Sequence, residues 1–575
     1  MSQDNVKIDA AIHLALEHIR LKGLDDVFRP PSFAPQIEMK IINENFDEFS
    51  RIAKLKTRKF IKTNNLEADL IGSVFYSMTP KDHYSYRRVC WIDPFDLVKY
   101  LTLALLVFPE IESNRLPKNR DIVHSHRKSD DNDKVFDEKY GYDSFRKKSS
   151  DMTRERVGQW KVVTDISNFY DRIGNHPLEN SLINCGCKIE YVTLLREILF
   201  FWAGDRRSFG VPVGSDASRI LSEAALIGID KSLYENGIAF TRYVDDYRLF
   251  AKDRATAYAA MLKLSELLAQ EGLSANHKKT NIYKIMDEED PQDNLNAKQS
   301  VVPNSQNDSH EPINLDERIK IEKRVVVSGR SSISKIYKEP GKEAVAKLRL
   351  MDKNTLIKDF ISSSGQNQED VMRKLVKYFI HIDQDERIIR TLLEEKITTI
   401  VYIVDALVKN EKIIPNQLKA SIKDLIFDSS DALLCPYPFQ IPLLRLYSIE
   451  GYSDSRLSAA IVDNHRTMDS QQFFREAILL GFGQIDRDRI KKLSINIFPN
   501  LSNLVKRAII YALCNSPNVT EDEKRPIKKN LLRSSDDWFV RKIGNHLNSL
   551  PATANPTPTP PHSPAPPPQG CLLAK

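Results

Sequence analysis

The sequence predicts an α+β protein in which a mixed strand-and-helix half precedes an all-α, helical-repeat half. Residues 161–285 alternate strand-like runs (KVVTDI, GIAFTRYV, YRLFAK) with helical ones. Residues 318–550 run helix after helix, rich in Leu and Ile. Between them the acidic, polar stretch 287–317 is nearly free of aromatics and reads as a linker or insertion. At roughly 100–200 residues per domain, 575 residues allow three or four domains. The expected divisions are 1–160, 161–285, 286–317, 318–550 and a tail at 551–575.

Each element has a local reason. Ile8, Ile12, Ala15 and Ile19 share one helical face, and Gly23 is placed to end that helix. Val162, Val163 and Ile166 predict a buried strand, interrupted by Asp165. A second helix is expected to start at Asp253, bury Met261, Leu264 and Leu268, and stop near Gly272. AFTRYVDDYRLFAK (239–252) reads as a hairpin with Asp245 and Asp246 at its turn. In the helical half, FREAILLG, VKRAIIYAL and WFVRKIGNHL each set a basic residue before an apolar stripe. Arg475, Arg507 and Arg541 are 32 and 34 residues apart, a period that suits stacked helix pairs. Nine of the last 25 residues are proline, which predicts an extended, unpacked tail.

Composition excludes several classes. With 41% hydrophobic and 9% aromatic residues the chain is able to bury large cores and is not wholly disordered. Its longest apolar run, Tyr100–Phe108, is far short of the ~18 residues a spanning helix needs. MSQDNVKIDA lacks the apolar core of an export signal. Six dilute cysteines without a CxxC pair argue against a zinc ribbon, and the expected setting is the reducing cytoplasm. The net charge of +6 permits a polyanionic partner without demanding one.

Four short motifs carry the chemistry. In KVVTDISNFYDRI (161–173) a carboxylate, Asp165, ends an apolar strand, which is costly unless something pairs with it. In GVPVGSDASRILSEAAL (210–226) the turn Gly210-Pro212-Gly214 precedes a small-residue helix whose exposed N–H groups suit a phosphate or a paired template. Tyr243-Val-Asp245-Asp246 sets two acids between apolar strands. GLSANHKKTNIYKI (272–285) places Lys278, Lys279 and Thr280 before a strand. Taken singly, each has an ordinary structural explanation: a cap, a solvated turn, a surface lysine pair.

Their order, within about 120 residues, resembles the palm of a reverse transcriptase. The resemblance implies a fingers–palm fold followed by an all-α, HEAT-like repeat domain. Asp165 then matches the first palm aspartate, and Asp245 and Asp246 match the YxDD pair. Tyr170 matches the aromatic that screens the sugar 2′ position, and Lys279 the lysine that follows the palm helix. Upstream, YRRVCWIDPFDLVKYL (86–101) is similar to the fingers segment in which an arginine, Arg88 or else Arg87, grips the triphosphate. Gly214 belongs to the nucleotide site by the same resemblance, and Arg127 (of Ser-His-Arg), Ser218 and Arg219 to the template–primer contacts. The arrangement most resembles the bacterial abortive-infection and "unknown-group" reverse transcriptases of antiphage defence. Val213 stands where many retroviral and intron enzymes carry glutamine, and no HNH segment, zinc-binding nuclease or separate RNase H region is evident.

The resemblance implies two-metal nucleotidyl transfer of dNTPs with Mg2+ or Mn2+. Two divalent ions ~3.5–4 Å apart activate the 3′-oxygen and stabilise the leaving pyrophosphate. Asp165 and Asp245 are the expected bridging ligands, with Asp246 in support and the Ile166 carbonyl completing the set. Arg88 would neutralise the triphosphate, and Lys279 would protonate pyrophosphate. Expected partners are dNTPs, nucleic acid (an RNA template, including a dedicated noncoding one, or a DNA product) and further copies of the chain, with no membrane. Synthesis without a template, primed on one of the 20 tyrosines, stays open. Two rivals are an inactive palm used as a nucleic-acid-binding or phage-sensing scaffold, and an RNA-dependent RNA polymerase, which Tyr243 and Tyr170 disfavour. The runs 51–62 and 115–120 are either backbone-tracking or solvated basic faces. Lys506, Arg507, Arg541 and Lys542 are expected to face nucleic acid or a neighbouring subunit.

Overall fold

The computed structural model describes residues 3–24, 37–63, 71–72, 74–80, 86–204, 208–277, 279–286, 337–363, 365–396, 399–428, 437–447, 449–454, 475, 478–480 and 485–546. The expected linker from residue 287 on, the Pro-rich tail and Lys278 lie outside the described residues.

Helix α1 (Gln3–Lys22) buries Ile8, Ile12, Ala15 and Ile19 on one face. Gly23, at φ 86°, donates to the Ile19 carbonyl and ends it. After α2 (Ile37–Glu44) and α3 (Phe46–Thr63), the hairpin of β1 (Phe75–Pro80) and β2 (Tyr86–Trp91) leads into α4 (Pro94–Asn114). Asp93 caps α4 by accepting from the Phe95 N–H, and Pro94 fills the first turn. The apolar run Tyr100–Phe108 lies inside α4, which α1, α3, α8 (Ile189–Ala203) and α9 (Asp216–Ala224) enclose. Among the described residues no helix is long and apolar enough to cross a membrane.

The second sheet is antiparallel, in the order β4-β5-β3-β6, with β3 Trp160–Asp165, β4 Ala239–Tyr243, β5 Asp246–Ala251 and β6 Asn281–Lys284. α11 (Arg254–Gln270), capped by Asp253 and followed by Gly272 at φ 70°, packs on β3 and β5. Leu264 and Leu268 are buried there, while Met261 is only half-buried.

From residue 337 on, every described element is helical, so the chain is α+β. Those helices serve two cores. Residues between Tyr337 and Tyr452 form a core of their own. Residues between Ile478 and Ile543 join the core built by α1–α4 and the second sheet. Trp538 and Phe539 meet Phe49 and Phe95, at 5.7–6.2 Å between ring centroids.

The three arginines spaced at 32 and 34 residues do unlike work. Arg475 is buried and bonds Glu38 at 2.7 Å. Arg507 is buried and bonds Asp93 and Asp537. Arg541 is half-exposed and bonds Asp536. The expectation that basic residues here face nucleic acid or a partner needs correcting for Arg507, while Lys506 and Arg541 are not buried. Arg507 is sealed inside the fold, and Lys542 is tied to Glu48 at 2.6 Å. In the run 51–62, Arg58 is paired with Asp9 and Lys56 lies over the Phe95 ring, whereas Arg51, Lys59 and Lys62 are not buried.

Candidate active site

β3 is the inner strand between β5 and β6, so its residues from Lys161 on are buried. Val and Thr suit such a strand, and Asp165 ends it where the sheet opens. The antiparallel register sets Asp165 opposite Asp246. The two-residue turn Val244-Asp245 then brings the third acid alongside, and the Ile166 N–H donates to the Asp245 carbonyl at 3.1 Å. Asp165 is 5% exposed. Its Oδ2 takes an ion pair from Lys279, its carbonyl accepts from Asn276 N–H at 2.8 Å, and its Oδ1 is buried with no hydrogen-bond partner. Burial, reinforced by the Asp246 and Asp165 carboxylates, pushes the Asp245 carboxyl up to about 7.

The other expected residues divide into two groups. Tyr170, on the short helix α6 (Phe169–Arg172), is half-buried. Burial raises its hydroxyl pKa, and Arg219 and Asp245 are both near enough to act on it. Its carbonyl accepts from Val211 N–H at 2.9 Å, so the sugar-side aromatic and the Gly-Pro-Gly turn are tied together. Gly210 holds φ 97°, and a Cβ there would come within 3.3 Å of the Asp171 carbonyl, which explains glycine at that point. Gly214 is at φ 125°, just before the cap Ser215 of α9. On the far side, Cys90 N–H donates to the Val213 carbonyl at 3.2 Å and fastens β2 to this turn. Arg88, on β2, lays its guanidinium over the Tyr76 ring, and Arg87 pairs across the hairpin with Thr79. Arg219 pairs with Asp216 at 2.7 Å and remains partly exposed.

Arg127 and Ser218 are not presented to a template. Arg127 is 2% exposed; both terminal nitrogens donate to the Leu116 carbonyl at 3.0 Å, and Glu112 lies at 2.8 Å. Ser218 is buried against the Tyr100 hydroxyl at 3.0 Å. Both are interior residues because α4 and α9 close over them. In the run 115–120, Arg115 is likewise buried, bonded to Glu223 at 2.9 Å.

Composition and spacing alone missed a buried charge network beneath the hairpin. Arg242 of β4 bonds Asp230 of α10 (Ile227–Glu235) and Glu223 of α9. Arg115 and His126 approach the same Glu223. The two arginines hold the Glu223 carboxyl far below its ordinary range despite its burial. The available signal was an arginine set inside the strand-like run AFTRYV.

The three acids and Lys279 gather carboxylate acceptors and one ammonium at the end of β3. Among the described residues no three His, Cys, Asp or Glu side chains already converge on a metal position. The donor set nonetheless fits hard divalent ions. Asp165 Oδ1 is an orphaned buried acceptor, Asp245 carries the repulsion of two neighbouring carboxylates, and the Lys279 ammonium supplies positive charge on Asp165.

No curated protein matches the chain. Among solved structures, it is similar to a telomerase from Candida albicans complexed with a fragment of telomeric RNA, at 14% identity and TM-score 0.29, over 66% of either chain. It is also similar to an apo telomerase from Candida tropicalis, at 12% identity and TM-score 0.28, over 64% of this chain and 67% of that one. The chain thus spans about two thirds of these structures' length, and likeness at such scores carries no argument about fold or activity. Residues 114–309, which include β3 to β6 and all three acids, match the reverse transcriptase (RNA-dependent DNA polymerase) family, so this chain carries a reverse transcriptase domain over about a third of its length.

Proposed function

We propose that the chain is a DNA polymerase of reverse-transcriptase type that adds dNTPs by two-metal nucleotidyl transfer in the cytoplasm. The observation that carries this reading is the register that sets Asp165 against Asp246, with Asp245 in the adjoining turn and Lys279 on Asp165. When bound, Mg2+ or Mn2+ would lower the charge of the three carboxylates and assist attack and departure at the phosphoryl group. Asp165 and Asp245 would hold the ions, with Asp246 and the Ile166 carbonyl in support. Tyr170 would exclude a 2′-hydroxyl by contact. Gly214 and Arg88, with Arg87, would border the triphosphate. Lys279 would turn from Asp165 to give its proton to the leaving pyrophosphate. Arg219, paired with Asp216 and partly exposed, is the remaining template–primer candidate.

The biological setting we infer is antiphage defence. Its support is the resemblance carried by Ser125-His126-Arg127, DISNFYDRI and GVPVGSDASR. The helical half 318–550 would be a HEAT-like platform for a nucleic-acid product or for further copies of the chain. The template is either an RNA, including a dedicated noncoding one, or absent.

The test is incorporation of labelled dNTPs by the purified full chain, with and without added RNA and divalent metal. Asp245→Asn keeps the side-chain volume and removes the charge. It should abolish incorporation while leaving the melting curve at or above that of wild type. Incorporation by Asp245→Asn at the wild-type rate refutes the site. Absence of incorporation by wild type under all template conditions favours the inactive scaffold.

A further inference from the structure

The turn between β4 and β5 carries an unusual backbone. Among the described non-glycine residues only Asp121, His126, Asn168 and Val244 have positive φ. The first three are residue types that tolerate this region, but Val244, at φ 54°, is β-branched. In a two-residue hairpin turn with positive φ only at its first central position, glycine is the usual occupant. Something must therefore hold Val244 in place, because the side chain opposes the conformation.

Arg242, two residues earlier, meets that requirement. Its side chain is 0% exposed. Nε bonds the Asp230 carboxylate at 2.9 and 3.0 Å, and Nη2 bonds Asp230 at 2.6 Å and Glu223 at 2.9 Å. With the guanidinium plane fixed by those two acids, Nη1 donates to the Val244 carbonyl at 2.9 Å. Glu223 and Asp230 sit on α9 and α10, outside the hairpin, and are themselves braced by Arg115, His126 and the Tyr247 hydroxyl. The fork thus connects the helical layer to the one strained peptide of the turn. The next residue, Asp245, is fixed from the other side by Ile166. A lysine could neutralise the same acids, but a single ammonium cannot grip two carboxylates and also reach a carbonyl in a fixed plane.

We infer that Arg242 is a positioning residue whose guanidinium holds the Val244 turn in the shape that sets the Asp245 carboxylate beside Asp165. The inference rests on the polymerase reading of that site.

The test is a double-mutant cycle in the full chain, combining Arg242→Lys with Val244→Gly. Glycine adopts the turn without the tether, so it should remove the need for the arginine. Three quantities are measured: Mn2+ affinity by titration calorimetry, dNTP turnover, and melting temperature. Arg242→Lys is expected to lower Mn2+ affinity and turnover about tenfold when the turn is wild type and less than about threefold when it already carries Val244→Gly. Arg242→Lys should lower the melting temperature in both backgrounds, through loss of the buried pairs with Asp230 and Glu223. Equal losses of affinity and turnover in the two backgrounds, or no loss in either, would overturn the inference. If Arg242→Lys does not fold, Asp230→Asn loosens the same fork and must show the same coupling to Val244→Gly. A wild-type chain that incorporates no dNTP refutes the polymerase reading, whereas the Mn2+ cycle still decides the role of Arg242.

Discussion

Replacing Arg507 by methionine tests how the helical end is fastened to the front of the molecule. The guanidinium is 1% exposed. It donates to Asp93 at 2.6 Å and to Asp537 at 2.6 and 3.0 Å, stands 3.7 Å from Glu38, and lies 4.3 Å over the Phe539 ring. Methionine keeps the apolar reach and deletes the charge. The carboxylates of Glu38, Asp93 and Asp537 then lose the partner they share, while Arg475 stays on Glu38 and Lys56 near Asp537. Removing one partner of a buried ion pair costs about 3–5 kcal/mol, and the separate hydrogen bonds do not add to that figure. At ~2–4 °C per kcal/mol for a unit of 150–250 residues, the core shared by α1–α4 and residues 485–546 should melt on the order of 10 °C lower. The pH dependence has a definite sign. In wild type Arg507 helps hold the Asp537 carboxyl below its ordinary range, so its contribution is present above the unfolded pKa and is lost on acidification. In the variant the unpaired carboxyls are raised, and stability falls as pH rises. The deficit should therefore be larger at pH 7.5 than at pH 5. Differential scanning calorimetry at both values checks this. A variant within about 1 kcal/mol of wild type at pH 7.5, or a deficit independent of pH, would refute the reasoning.

Three further outcomes are expected. Tyr170→Ala should relax the preference for dNTPs over NTPs, seen as a lower ratio of the two kcat/KM values; equal use of both by wild type would remove the steric screen. Lys279→Met should tighten Mn2+ binding, because its ammonium no longer competes for Asp165, yet slow incorporation by roughly 10²-fold or more through loss of the proton donor. Weaker Mn2+ binding would contradict that competition. Truncation after residue 317 should give aggregated protein, because it strips Ile478–Ile543, Trp538 and Phe539 from the first core. A monodisperse truncated chain, seen by light scattering, would show that the core closes without them.

Much of the site was legible because its signals are local. Strand periodicity around Val162–Asp165, the capped helices at Asp253 and Ser215, and the glycines at 210, 214, 23 and 272 depend on neighbours a few residues away. The hairpin at 239–252 was legible for the same reason, and so were its acids. Arg127, Ser218, Arg115 and Arg507 were not, because a polar residue's environment is set by whatever packs over it. Arg127 and Arg115 look alike in sequence to any surface arginine. Only the approach of Glu112 and Glu223 shows them to be interior.

The amino-acid sequence alone determined the α+β class, the Val162–Asp165 strand, the 239–252 hairpin and the Asp253 helix, since side-chain periodicity and turn chemistry act along the chain. The tertiary structure alone decided which charges are spent on holding the fold and which remain at the site. It tied the helices of residues 485–546 into the core of α1–α4 through Arg507 and Trp538 and left residues 337–452 with a core of their own. It also set Arg242 against a strained turn. Apart from the Arg242–Val244 bond, these are contacts across tens to hundreds of residues, and what selects them is burial, because a charge removed from water must find its partner wherever the fold brings one.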